Sequence, residues 1–339
     1  MSASVLFFNS FLKSTLASYL EFRQSLGYAK NTALFYTLRD FDYYLVFHDI
    51  AKASQMDEAL LVHWLHSKGS QTSRTKNRKL AIIRGLFRYL IRTGQIQNNP
   101  AGNIPYLKEK PYKPYIYTLE ELGRILRQAN QWQYRRADRF SAMVMETLIY
   151  LIYACGLRLG ESLRLKIKDV DFNEKTLSLW KTKFHKERII PFSEEAGVRL
   201  QKYLQARNQR YGPPKPEDYI FRHKRGHYGG GTIETKFKKL LVACGFPNAK
   251  ASNAPRLHDL RHTMATHRLY QWYQEGHDVL NKLPLLSTYL GHVNIESTQV
   301  YLTIIKALLR EGNKRFRDRS EAIPRDFINA ALKKKHAGY

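Results

Sequence analysis

The chain has 339 residues, 43% of them hydrophobic, with only 12 prolines and 19 glycines, which fits a globular protein of two or three domains and excludes a disordered or fibrous one. Lysine and arginine outnumber the acidic residues 56 to 29, a formal net charge of +27, so a polyanionic partner, nucleic acid first, is the leading expectation. Two cysteines, Cys155 and Cys244, are too few for a disulfide framework or a thiolate zinc site and point to reduced thiols.

The opening stretch MSASVLFFNSFLKSTLASYLEF lacks the basic start and small-residue cleavage site of a secretory signal, which suggests a protein that stays in the cell. From residue 7 to about 98 the pattern is helical only. Apolar residues recur at helical spacing in Phe11–Leu26, Thr32–Phe47, Asp57–His66 and Thr72–Thr93. Asn31, Asp57 and Thr72 are the expected starts, and Gly27, Gly69 and Gly94 the expected stops. In the fourth helix Leu80, Ile83, Phe87, Leu90 and Ile91 form one face, while Arg74, Arg78, Arg88 and Arg92 fall largely on another. A solvated face is the plain alternative; the arginine enrichment in so basic a chain favours contacts to phosphate.

Residues 99 to 115, NPAGNIPYLKEKPYKPY, hold four prolines and the lysines Lys108, Lys110 and Lys113, as expected of an extended linker crossing a phosphate backbone. This divides a helical domain (1–98) from a second domain (116–305), leaving 306–339 as a tail. Thr118 and Glu121 have the spacing of a capping box that opens the second domain. The apolar run Met143–Cys155 falls short of the roughly 20 residues a bilayer needs and contains Glu146, so it reads as a buried helix. Three short antiparallel strands are expected next, at Val170–Phe172, Thr176–Trp180 and Glu187–Phe192. The GGG at 229–231 is not followed by Lys-Ser or Lys-Thr, so it is no phosphate-binding loop and reads as a turn. The expected fold is mainly α with a small three-stranded antiparallel sheet.

The stretch PRLHDLRHTMATH, 255–267, raises a choice between metal and phosphate. His258 and His262 are four apart, as in a zinc protease helix, but Asp259 stands where that motif has glutamate and Arg261 directly precedes the second histidine. Phosphate is favoured: His258 and Arg261, three apart, share one helix face and can set a proton-transfer group beside a bidentate clamp. Arg158 lies in a Gly-Leu-Arg turn after the buried helix, His292 follows Leu-Gly, and Tyr301 lies nine residues further on.

The order of these motifs resembles the tyrosine site-specific recombinases, the phage-integrase family. Gly156–Glu161 looks like its first arginine box and His258–His262 like its His-x-x-Arg box, while Leu290-Gly291-His292 and Tyr301 look like its closing pair. The segment WKTKFHKERIIPF is similar to the one that carries the family's catalytic lysine, with Lys183 in the matching place. Thr182 and Phe184 stand where the family usually has glycines, and Lys181 and Lys186 compete for the role. The stretch from His267 to His292 is longer than in simpler members and is expected to hold a longer loop. The likeness spans about 115–305, and the helical first domain resembles the family's core-binding domain in layout.

The resemblance implies a two-domain clamp on double-stranded DNA. It makes Tyr301 the nucleophile on a phosphodiester, giving a 3′-phosphotyrosyl intermediate and a free 5′-hydroxyl. Arg158 and Arg261 would neutralise the phosphate, His258 would act as base, Lys183 would protonate the leaving oxygen, and His292 would bind the phosphate or steer Tyr301. No metal, ATP or other cofactor is implied, and recombination would take four protomers on two DNA sites. His262 and His267 are expected to be structural. The tail helix Pro324–Lys335 is expected to dock on a neighbouring protomer. The implied setting is the cytoplasm and nucleoid of a bacterium or its mobile elements. The competing readings are a type IB topoisomerase, a catalytically inactive DNA-binding factor and, last, a metallohydrolase.

Overall fold

The chain divides between Tyr112 and Lys113, inside the proline-rich stretch 99–115. The computed structural model describes residues 7–28, 32–109, 112–131, 139–180, 187–223, 226–246, 254–292 and 301. Asn31, Lys110, Lys181, Lys183, Lys186 and the 324–335 segment lie outside the described residues.

The first unit is built from α1 (Lys13–Ser25), α2 (Thr32–Phe47), α3 (Glu58–His66) and α4 (Ser73–Arg92). Helix starts follow from side chains that satisfy the orphan amides of a first turn. Asp57 accepts from the Leu60 amide at 2.8 Å, and Thr72 accepts from that of Thr75 at 3.3 Å. Phe41, Trp64 and Phe87 meet edge-on within a core that also takes Leu16, Leu38 and Leu45. Such side chains each contribute roughly 1.5–3 kcal/mol when fully buried. Leu80, Ile83, Phe87 and Leu90 are buried as the periodicity predicts. Ile91 is not: one residue past Leu90 it is turned about 100° away and faces solvent.

On α4 the four arginines expected to meet phosphate, Arg74, Arg78, Arg88 and Arg92, are all exposed. At about 100° per residue they lie within an arc of about 80°. Arg74 shares its charge with Glu109 at 3.2 Å, and Arg92 lies over the Phe22 ring. Lys108 and Lys113 are exposed as well.

The second unit opens with α5 (Leu119–Gln131). Its capping box is reciprocal, the Thr118 amide donating to Glu121 Oε2 at 2.9 Å and the Glu121 amide to Thr118 Oγ1 at 3.1 Å. The apolar run becomes α6 (Arg139–Ala154), which packs against α5, α8 and α10 and buries Val144, Met145, Leu148, Ile149, Leu151 and Ile152. After the short α7 (Leu159–Arg164) come β1 (Val170–Asp171), β2 (Thr176–Leu179) and β3 (Arg188–Pro191), an antiparallel sheet in that order. Leu177 faces Ile190 across β2 and β3, both fully buried, which fixes the register. The strands are a residue or two shorter than predicted, and Trp180 at the end of β2 is exposed.

Helix α8 (Glu194–Tyr211) leads to a two-stranded hairpin, β4 (Arg222–His223) and β5 (Gly226–His227), that the sequence does not announce. The GGG expected to form a turn instead starts α9 (Gly230–Ala243), with Gly229 as its cap. Burial of Ile233, Phe237, Leu240 and Leu241 outweighs the poor helix propensity of glycine there. The long loop expected between His267 and His292 is also helical: α10 (Asp259–Gln274) continues past His267, and α11 (Val279–Leu290) follows after a short turn. Among the described residues no helix is long and apolar enough to cross a membrane.

Candidate active site

Gly156 lets α6 end above the site. Its φ is +59°, and a Cβ there would lie 2.0 Å from the Met264 methyl and 3.0 Å from Leu290. A side chain would thus be strained by the backbone and crowded by two neighbours. Two residues on, Arg158 caps α7, and its own amide donates to Glu161 Oε2 at 3.0 Å. The Arg158 side chain gives Nη1 to Glu161 Oε1 at 2.7 Å and Nη2 to the carbonyl of Gly291 at 2.9 Å.

Arg261, in the first turn of α10, is 1% exposed. Its Nη1 donates to the Gly156 carbonyl at 2.6 Å and its Nη2 to that of Leu290. Burial, with the positive charge of Arg158 beside it, lowers its pKa to about 9, still well above neutrality. Asp259, two residues before Arg261, pairs instead with Arg256, at 3.8 Å.

Glu161 joins these groups. It is 5% exposed, and burial alone would favour its neutral form. The opposing hydrogen bonds and charge of Arg188, reinforced by Arg158, win and hold its carboxyl at about 2. Arg188 reaches both of its oxygens, at 3.2 and 3.0 Å, and Arg261 Nη1 is 4.0 Å from Oε2. One carboxylate therefore faces three guanidinium groups, leaving an excess of positive charge suited to a dianion-like phosphoryl group.

Tyr301 has no exposed surface and packs with Met264, Ala265, Leu269, Leu283, Leu286 and Leu290. Burial pushes its phenol up to about 12, against the lowering pull of Arg261 and Arg158. Its hydroxyl pairs with His262 Nδ1 at 3.0 Å. The ring of His258 stands perpendicular to that of His262, centroids 5.0 Å apart, and the His292 ring lies nearly parallel to Tyr301 at 6.3 Å.

All three imidazoles are neutral at pH 7. Desolvation, then the charge of Arg261, lowers His258 to about 4 although part of it reaches solvent. Desolvation, then His258, lowers His262 to about 3. Desolvation, then Arg261, lowers His292 to about 4.

The structure thus brings Arg158, His258, Arg261, His292 and Tyr301 together, while Lys183 lies outside the described residues. Three further members escape the sequence reading. Glu161 stands in the arginine box, but nothing in its spacing reveals that it serves more than one arginine. Arg188 is one basic residue in a basic strand. His262, expected to be structural, holds the hydroxyl of Tyr301, the place that His258 was expected to take. Its position one turn after His258 on the same helix is the signal that could have found it. His267 pairs with the Tyr153 hydroxyl at 3.0 Å.

The phage integrase family model matches residues 117–307. A putative integrase/recombinase of Sinorhizobium fredii, y4rB, is 31% identical over 316 residues, which cover 92% of this chain and 99% of the relative. Two solved structures share the fold. The XerH site-specific recombinase bound to its palindromic difH substrate, a post-cleavage complex, has a TM-score of 0.61 at 21% identity, covering 84% of this chain and 79% of that one. A lambda integrase tetramer bound to a Holliday junction has a TM-score of 0.61 at 17% identity, covering 84% and 77%.

Proposed function

Because the chain belongs to the phage integrase family and is therefore a DNA strand-transferring tyrosine recombinase, we propose that Tyr301 is its nucleophile and that Arg158 and Arg261 clamp the scissile phosphate. The observation that carries these roles is the convergence of both guanidinium groups on the end of α11, beside the buried phenol.

With a pKa of about 12, only about one phenol in 10⁵ is ionised at pH 7, so attack needs a proton acceptor. Neutral His262, its Nδ1 3.0 Å from the hydroxyl, receives the proton there as the bond from Oη to phosphorus forms, which takes the tautomer that carries its hydrogen on Nε2. His258, partly open to solvent, passes it outward. The bond to the 5′-oxygen breaks, and Lys183 supplies that oxygen with a proton. Arg158 and Arg261 meet the charge that grows on the non-bridging oxygens, and His292 adds a contact to the phosphate or steers Tyr301. The reverse attack, by a 5′-hydroxyl of a second duplex, reseals the DNA and needs no ATP.

The substrate is double-stranded DNA, gripped by the 1–98 domain through the α4 arginines, with residues 99–115 (Lys108, Lys110, Lys113) crossing the backbone and 116–305 carrying the chemistry. Four protomers work on two sites, as the lambda integrase tetramer on a Holliday junction suggests, and the 306–339 tail docks on a neighbour. The setting is bacterial DNA in the cytoplasm, where the enzyme integrates, excises or transposes a mobile element.

Covalent trapping tests this reading. The protein is mixed, in EDTA, with nicked labelled DNA from the flanks of its own gene and run on a denaturing gel beside Tyr301→Phe. A slow-migrating adduct is expected that the substitution abolishes; its persistence in the variant would remove Tyr301 as the nucleophile.

A further inference from the structure

We infer that Arg188 is a positioning residue for the phosphate clamp, holding the end of α11 in the register that Arg158, Arg261 and His292 require. The inference rests on the proposed roles of those three groups and adds a fourth that touches no DNA.

The last carbonyls of a helix have no partner within it and carry its negative dipole end. At the end of α11 three successive carbonyls each take a different guanidinium. Tyr289 accepts from Arg188 Nε at 3.0 Å, Leu290 from Arg261 Nη2, and Gly291 from Arg158 Nη2 at 2.9 Å. His292 follows directly. A slip of one residue would hand each arginine the wrong carbonyl and carry His292 away from Tyr301.

Only one of the three arginines is free to set that register, because Arg158 and Arg261 must also serve the phosphate. The Arg188 side chain is 9% exposed and forks onto both oxygens of Glu161 while its Nε reaches Tyr289. Charge balance for Glu161 explains the fork. It does not explain the bond to Tyr289, nor the close passage of the backbone: a Cβ on Gly291 would lie 2.7 Å from Arg188 Nη1. Gly291, in the left-handed conformation that ends α11, lets the chain lie flat against the guanidinium. Arg188 therefore links α7, through Glu161, and its own strand β3 to the turn that carries His292.

The test uses the full chain with Arg188→Gln, and Arg188→Lys as a second variant that keeps the charge opposite Glu161 but cannot span three acceptors. Amide hydrogen exchange without DNA is the first readout. In Arg188→Gln the amides of Gly291 and His292 are expected to exchange at least about 10-fold faster, with α5 and α8 unchanged. Single-turnover adduct formation on nicked DNA is the second. A rate about 100-fold lower is expected from a misplacement of the order of 1 Å, with DNA affinity within about 3-fold. Millimolar methylguanidine should restore part of the rate in Arg188→Ala.

Unchanged exchange at the end of α11, or faster exchange throughout the unit, would overturn the inference, as would an Arg188→Lys protein with wild-type rate and exchange. If the wild-type chain forms no adduct, or Tyr301→Phe still does, the proposed catalytic roles fail, and the exchange data still decide on Arg188.

Discussion

Replacing Glu161 by Gln keeps the shape of the side chain and removes the one negative charge among three guanidinium groups. The carboxyl is held at about 2 against an ordinary 4.5, a difference that corresponds to about 3 kcal/mol of favourable pairing. At roughly 2–4 °C per kcal/mol for a unit of about this size, Glu161→Gln is expected to lower the melting temperature of the second unit by about 6–12 °C at pH 7. The pH dependence has a defined sign. Because the folded-state pKa is depressed, the stabilisation is fully present above about 4.5 and is lost as pH falls toward 2, so the gap between wild type and variant should narrow over that window. Scanning calorimetry of both proteins from pH 7 to pH 3 measures it. A shift under about 2 °C at pH 7, or a gap that stays constant down to pH 3, would refute the claim that Glu161 is held ionised by its arginine neighbours.

Three other outcomes can be checked. His262→Ala should slow adduct formation by about 10²–10⁴-fold in single-turnover assays, and more than His258→Ala does; the opposite ranking would return the role of base to His258. The site histidines sit at about 4, 3 and 4, below the ordinary 6.5, so the unfolded chain binds more protons than the folded one in that interval. Stability should therefore fall on acidification below about 6.5, and His262→Gln should flatten the curve in a melting-temperature series. Replacing Arg74, Arg78, Arg88 or Arg92 by Gln should each lower the salt slope of DNA binding by about 0.9 where a phosphate contact is lost, and an unchanged slope in all four would assign that face to solvent.

Those parts of the fold set by local periodicity and caps were legible. Helices α1 to α4 and α6 follow from apolar spacing, and Thr118 with Glu121 announces α5. What periodicity misses is burial decided by distant partners: GGG became a helix because Ile233 and Phe237 have a core to enter, and the stretch after His267 became α11 because Leu283, Leu286 and Leu290 pack near Tyr301. In the site, Arg158, His258, Arg261, His292 and Tyr301, all named by motif order, converge. Arg188 was invisible because one of its partners is a backbone carbonyl 101 residues away, which carries no residue-type signature, and the other, Glu161, is 27 residues away with no motif spacing to link them. His262 shares a helix face with His258 in the sequence, but which of the two meets Tyr301 is decided only by how α10 packs once the chain has folded.

The burial of Tyr301 sets a limit on collateral damage. An aromatic side chain hides about 150–250 Å². At about 25 cal/mol per Å², uncovering it costs roughly 4–6 kcal/mol, so at most about one molecule in a thousand would offer its phenol unaided. With Tyr301 as the nucleophile proposed above, this burial keeps the phenol from DNA wherever nothing draws it out, so cleavage is coupled to whatever contact uncovers the side chain.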